Sequence, residues 1–340
     1  MTYLIIAGGA FLISFILTPL VQRLCVRFQF LDMPDQRLKN HTRPIPRLGG
    51  VAIFLGALSA ILATRFLTHY PTGTIRQFRY ILLAMSLMFT LGLIDDLYRD
   101  IIRYRGKFFI QLAVACILLL VPIRIHFLTP AYLATIITVL WVVGITNSIN
   151  LIDIMDGLAA TQVAIAAAAF LAIGFPSEDI YVNIFAAAIL GSTLGFMPYN
   201  LTTKFKIFMG DSGSLTLGLA LATLAIGSSY TTHNPYAVFA PILILGVPMF
   251  ETFFLIYIRS RQGLSPFMGS HDHVAHRLQS LGFTSKQIVL TMGSIALLLS
   301  LLAMLIASIE NPTTVLMLYL TLIGVLLFIG KFLGRLKVIA

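Results

Sequence analysis

Apolar runs recur along this 340-residue chain, and few features narrow the folds open to a polypeptide as severely. Runs long enough for a spanning helix, about 20 residues each, are read at roughly 3–21, 48–66, 79–94, 107–123, 131–148, 157–175, 180–199, 213–230, 236–258, 287–308 and 313–334. Hydrophobic residues make up 58% of the chain and charged residues 11%, against about 25% charged in soluble proteins. The mean hydropathy is +0.94. The expected fold is an all-α, polytopic integral membrane protein of eleven transmembrane helices. The count drops to ten if the short runs ending at 94 and beginning at 107 are tilted or interfacial.

Charge orients these helices. The net charge of +10 would suit a nucleic-acid partner, but its distribution follows the bilayer instead. With Met1 outside and the C-terminus cytoplasmic, all but Arg65, Arg76, Arg79 and Arg124 of the 23 Lys and Arg lie on inner segments, the positive-inside bias. The partner this implies is membrane lipid, with no nucleic acid. The first run lacks a basic n-region and a small-residue cleavage site, so it is expected to remain as an anchor. Cys25 and Cys116 suit neither a disulfide framework nor a zinc site. No repeat or long linker divides the chain, which reads as one membrane domain over 1–340. Its polar connections at 22–47, 95–106, 149–156, 200–212 and 259–286 gather on the cytoplasmic face. The last of them ends in Thr284-Ser-Lys-Gln287, a capping-box pattern that starts the next helix.

Five aspartates lie where apolar runs end or begin, although an ionised Asp inside a spanning helix costs on the order of 3 kcal/mol. Asp95 and Asp96 close the third run, where acids oppose the helix dipole. Adjacent carboxylates at a water boundary suit a general base or magnesium recruitment, and Lys107 supplies a cation for phosphate. A plain ion pair to Arg99 or Arg103 is the structural alternative. In Asn147-Ser-Ile-Asn150-Leu-Ile-Asp153-Ile-Met-Asp156-Gly157 the polar groups recur every three residues. That spacing places Asn147, Asn150 and Asp153 along one side of a helical turn, a wall for a hard cation and a sugar diphosphate, while Asp156 could instead cap the sixth helix. Phe208-Met-Gly210-Asp211-Ser-Gly213-Ser214 opens the eighth helix. Its glycines and helix N-terminal amides suit an anion, Lys204 and Lys206 lie just upstream, and Asp211 fits among phosphates only if a metal bridges them. In His271-Asp272-His273-Val-Ala-His276-Arg277, His273 and His276 are three apart with Arg277 adjacent. A basic edge gripping a diphosphate suits this pattern better than zinc, since no Cys is near. Arg37, Lys39, His41, Arg43 and Arg47 precede the second helix, where Pro44, Pro46, Gly49 and Gly50 argue for a shaped segment.

Taken in order, these motifs resemble the polyprenyl-phosphate N-acetylhexosamine-1-phosphate transferases. The resemblance rests on Pro46-Arg-x-Gly-Gly50, the Asp-Asp pair, the segments 147–157 and 210–215, and the arm at 272–278. It implies transfer of a sugar 1-phosphate from a UDP-sugar to undecaprenyl phosphate, release of UMP, and a need for Mg2+ or Mn2+. By the same resemblance Asp95 is the base with Asp96 beside it, and Asp211 and Asn150 are metal ligands. Asp153 and Asp156 shape the nucleotide-sugar pocket, and His273, His276 and Arg277 hold the diphosphate or sugar. Lys107 joins the catalytic group, and Asn147, Lys204, Lys206 and Arg47 the substrate-binding one.

The arm departs from the commoner pattern at Ser270 and Ala275, and Glu251 stands where an Asp is usual. Eleven helices and this arm favour the N-acetylglucosamine branch, which starts lipopolysaccharide O-antigen, teichoic acid or arabinogalactan linkage. UDP-N-acetylglucosamine is then the donor, a homodimer is admissible, and the site faces the cytoplasm from the inner membrane. The alternative within the family is the UDP-MurNAc-pentapeptide transferase of peptidoglycan synthesis. An ion-coupled secondary transporter is the alternative from another class, but transporters place such acids near the midplane.

Overall fold

The computed structural model describes residues 1–34, 43–67, 74–98, 101–121, 123–175, 180–228, 230, 235–265 and 272–336. Its elements are α1 (Thr2–Arg27), β1 (Leu31–Asp32), β2 (Ile45–Pro46), α2 (Gly49–Leu67), α3 (Thr74–Leu97), α4 (Tyr104–Leu118), α5 (Ala131–Ile152), α6 (Leu158–Gly174), α7 (Ile180–Leu201) and α8 (Gly210–Gly227). A 3-10 turn at Pro235–Phe239 follows, then α9 (Ala240–Ile244), α10 (Gly246–Arg261), α11 (Val274–Ser280), α12 (Ser285–Ser308) and α13 (Pro312–Arg335). Among the described residues the fold is nearly all-α, the exception being the two-residue antiparallel pair that sets Leu31 against Pro46 and Asp32 against Ile45.

Every apolar run read from the sequence falls on helical structure. Among the described residues seven helices are long and apolar enough to cross a membrane, and an eighth span results if the bent pair ending in α10 counts as one. That pair turns by 70°, because Pro248 has no N–H to return to the Ile244 carbonyl one turn earlier. The runs assigned to α4 and α6 form helices of 15 and 17 residues, and α8 opens on polar Gly-Asp-Ser-Gly-Ser. The Thr284 capping box forms as read, with Gln287 N–H donating to the threonine hydroxyl and the Gln287 side chain accepting from Thr284 N–H.

The chain packs as two compact units. The first holds Met1–Pro34 and the described residues up to Ser228, and the second holds those from Tyr230 onward. In the first, α1 packs on α2 and α7, while α2, α3 and α5 pack on α8. Every residue of α8 from Ser212 to Ala225 is buried, so this helix is the axis of the unit and its first turn is a fixed point.

Small residues permit that convergence. A Cβ on Gly50 would lie 2.1 Å from Gly213 N, and one on Gly92 would lie 2.4 Å from Asp211 O. Both clashes are with backbone, so neither can be relieved by a rotamer change. Gly50→Ala is therefore expected to lower stability in detergent by about 1–3 kcal/mol. Gly8→Ala, at a helical position with nothing within 4 Å, should leave the unfolding midpoint unchanged or raised. Equal behaviour of the two variants in a thermal melt would contradict the packing.

In the second unit α12 packs on α9, α10 and α11, and α13 lies against the 3-10 turn and α10. Only 6% of the apolar window of α13 is buried, against 72% for α7, the contrast expected between a lipid-facing helix and a central one.

Candidate active site

The segment before α2 is shaped by main-chain bonds to the segment before α8. Phe208 N–H donates to Pro46 O at 2.8 Å, Gly49 N–H to Phe208 O at 2.9 Å, and Gly50 N–H to Met209 O at 2.7 Å. This explains the paired prolines and glycines at 44–50. Gly210 then turns into α8 at φ +74°, where a Cβ would meet Arg47 O at 2.3 Å and Asp96 Oδ2 at 2.6 Å.

Into that turn α3 delivers Asp96, 6% exposed. Its Oδ1 accepts the N–H of Asp211 and its Oδ2 that of Ser212, both at 2.9 Å. This corrects two expectations. The amides of Asp211 and Ser212 at the start of α8 are not open to a substrate phosphate, because Asp96 already occupies them. An acid at the unfavourable end of α3 lies at the favourable, positive end of α8.

Asp95 points the other way. Lys107 Nζ, from the first turn of α4, donates to Asp95 Oδ2 at 2.5 Å and to Asp211 Oδ2 at 2.9 Å. Asn150 Nδ2, near the end of α5, donates to Asp211 Oδ1 at 3.1 Å and to Ser214 Oγ at 2.9 Å. Four helices thus meet at one ammonium flanked by two carboxylates. Asp95 Oδ1 is buried without a hydrogen-bond partner. Among the described residues no three His, Cys, Asp or Glu side chains form a metal-holding group. Two carboxylates and an amide oxygen are hard donors nonetheless, and Mg2+ is commonly held by one or two carboxylates with water and substrate phosphates making up the remainder. The Asp211 carboxylate and Asn150 Oδ1, which accepts no hydrogen bond from a described residue, fit such an ion.

Asn147 lies one turn before Asn150 but turns toward α4. Its Nδ2 donates to Gln111 Oε1 at 2.6 Å and to Val143 O at 2.8 Å. Gln111, 2% exposed, was missed in the sequence. A lone amide in an apolar run, four residues after Lys107, is the signal that could have found it.

Asp153 ends α5. Burial pushes its carboxyl up to about 8, with Asp211, Asp96 and Asp156 adding repulsion. The unfolded chain, with an ordinary Asp near 3.9, releases this proton first. Between about pH 4 and 8 the native state therefore holds more protons, and stability falls as pH rises through that window. In chelator-treated protein the thermal midpoint of wild type should fall from pH 5 to 8 more than that of Asp153→Asn. Parallel profiles would contradict the raised carboxyl.

Asp156 does not cap α6, as the alternative reading had it. The N-cap is Gly157 at φ +77°, whose N–H donates to Asn200 Oδ1 at 2.6 Å, while Asn200 Nδ2 donates to Ile207 O at 3.0 Å. Sequence reasoning missed Asn200, two residues after the helical Pro198. Asp156 instead pairs with Lys206 Nζ at 2.6 Å. Lys204 is exposed and rests over the Phe205 ring. Arg47 Nε is buried without a partner.

The arm belongs to the second unit. His273 Nδ1 lies 2.9 Å from Glu251 Oε1, and Glu251 also accepts Val274 N–H. The His276 ring meets that of His273 edge to face at 5.9 Å. Arg277, 3% exposed, spends four of its five N–H groups on Asp272 O and Oδ1, Leu333 O and Leu336 O. It is a latch on the last carbonyls of α13, which leaves little of it for a diphosphate. Arg37, Lys39, His41, Arg99, Pro266, Gly269, Ser270 and His271 lie outside the described residues.

Residues 78–229, which carry the whole acidic cluster, match glycosyl transferase family 4. The chain is 34% identical over 314 residues to a Bacillus subtilis (strain 168) protein described as a probable undecaprenyl-phosphate N-acetylglucosaminyl 1-phosphate transferase, covering 88% of this chain and 84% of that one. The chain belongs to glycosyl transferase family 4. Another member similar to it is the decaprenyl-phosphate N-acetylglucosaminephosphotransferase of Mycobacterium leprae, 32% identical over 83% of this chain and 78% of the relative. The phospho-N-acetylmuramoyl-pentapeptide-transferase of Desulforudis audaxviator is 30% identical over 88% and 97%. The family resemblance drawn from the motifs therefore holds, and the transporter alternative finds no support among these glycosyl transferase family 4 members.

Proposed function

We propose that this glycosyl transferase family 4 member transfers N-acetylglucosamine 1-phosphate from UDP-N-acetylglucosamine to undecaprenyl phosphate. A lipid phosphate oxygen attacks the sugar-linked phosphorus, a new P–O–P bond forms, and the bond to UMP breaks with the electron pair leaving on UMP. The observation that carries this reading is the Lys107 ammonium bridging Asp95 and Asp211, with the second Asp95 oxygen buried and unpartnered.

That oxygen is the lone pair free to take the lipid phosphate's proton, while Lys107 holds the other oxygen and offsets charge on the approaching phosphates. Mg2+, or Mn2+ in its place, would be held by Asp211 and Asn150 and would supply charge neutralisation for two anionic substrates. Arg47, through its unsatisfied Nε, and the Asp156–Lys206 pair serve substrate binding, and Asp153 shapes the nucleotide-sugar pocket. His273 and His276 serve the donor's sugar or diphosphate. Met1 outside and a cytoplasmic site in the inner membrane complete the reading, supported by the positive-inside bias and by the acids at helix ends.

Exchange of labelled UMP into UDP-N-acetylglucosamine, with Mg2+ and undecaprenyl phosphate in detergent, is the expected activity. Exchange only into UDP-MurNAc-pentapeptide would move the chain to the peptidoglycan branch. No exchange with any UDP-sugar by folded protein would remove the enzyme reading.

A further inference from the structure

The second unit holds a buried charged group that the acidic cluster does not use. Glu251, 1% exposed in the middle of α10, and His273, 5% exposed, are joined through Nδ1 at 2.9 Å. Both carboxylate oxygens also lie within reach of Val274 N–H, at 3.2 and 3.3 Å, so Glu251 is fully committed to the start of α11. A buried carboxylate needs compensation. Arg259 and Arg277, 2% and 3% exposed, supply it, since both guanidiniums feel the charges of Glu251 and Asp272. Two guanidiniums and two carboxylates balance, so the pair does not need a charged imidazole to be stable.

The ring is therefore held for its geometry. With Nδ1–H donated to Glu251, the tautomer is set and Nε2 becomes the working atom. No described residue bonds Nε2, and it is not among the buried polar atoms left without a partner.

We propose that Glu251 is a positioning residue. It fixes the orientation and the Nδ1–H tautomer of His273, so that Nε2 is presented to the phosphate or sugar of the donor. A carboxylate behind a working imidazole is a recurrent device, and its loss commonly weakens function about 10- to 100-fold where the imidazole ligates a metal. The assignment rests on the reading that His273 serves the donor.

The test is a double-mutant cycle on the full-length enzyme with UDP-N-acetylglucosamine exchange as readout. Glu251→Gln keeps the size and one acceptor for Val274 N–H, and should raise donor KM about tenfold while acceptor KM stays within twofold. In a His273→Ala background the same change should have no further effect. Equal losses from Glu251→Gln in both backgrounds would overturn the proposal and leave Glu251 as a cap of α11. Glu251→Asp, which keeps the charge, should recover part of the loss, and no recovery would count against positioning.

If Glu251→Gln does not fold, 15N spectra of histidine-labelled wild type still decide, with His273 assigned by its loss in His273→Gln. A protonated Nδ1 supports the proposal and an unprotonated Nδ1 overturns it. Normal donor kinetics in His273→Ala would instead remove the donor role of the arm, an outcome separate from the tautomer.

Discussion

Asp95→Asn is expected to lower kcat by about 10²- to 10⁴-fold, the range lost when a general base is removed, while the unfolding midpoint moves little. An amide at 95 can still accept from Lys107, and Lys107 keeps Asp211, so the meeting of α3, α4 and α8 survives. What disappears is the unpartnered oxygen and its ability to take a proton. Steady-state exchange rates together with thermal melts of the same preparation check this. A kcat within threefold of wild type would remove Asp95 from the chemistry.

Asp96→Asn, one residue on, should fail by a different route. The carboxylate receives two main-chain N–H groups, one on each oxygen. An amide offers a single acceptor and turns its NH2 toward the other N–H, leaving a buried donor unsatisfied and removing an anion from the start of α8. The expected loss is about 2–4 kcal/mol of stability, read as a lower melting midpoint and reduced yield in detergent. Residual folded enzyme should also turn over about 10²-fold more slowly, because Asp211 rides on the displaced turn. A variant with wild-type stability but no activity would contradict the anchor role and return Asp96 to direct chemistry. The contrast between adjacent aspartates is the sharper test, since composition and local helix position are nearly the same for both.

Much of the architecture is legible because burial in lipid demands long apolar runs, and each such run forms helix. The capping box at Thr284 is legible because it is local in sequence, and the prolines and glycines at 44–50 mark a shaped segment although the partners that shape it, Phe208 and Met209, are distant. Spacing could not show which way a polar side chain turns once helices pack. Asn147 and Asn150 are one turn apart, yet one meets Gln111 and the other Asp211. Gln111 and Asn200 each look like single polar interruptions until a partner 36 or 43 residues away completes them. Arg277 reads as a phosphate grip beside two histidines, whereas its guanidinium closes the end of α13.

The sequence by itself determined that the chain is a membrane protein whose motifs resemble the polyprenyl-phosphate N-acetylhexosamine-1-phosphate transferases, with five aspartates where apolar runs end or begin. Those conclusions follow from hydropathy, charge asymmetry and short motifs, all of which are properties of neighbouring residues. Only the tertiary structure decided what each acid faces. The C-terminus of α3 meets the N-terminus of α8 because Gly92 lets the two backbones approach closely. That approach places a carboxylate disfavoured by its own helix against the amides of another.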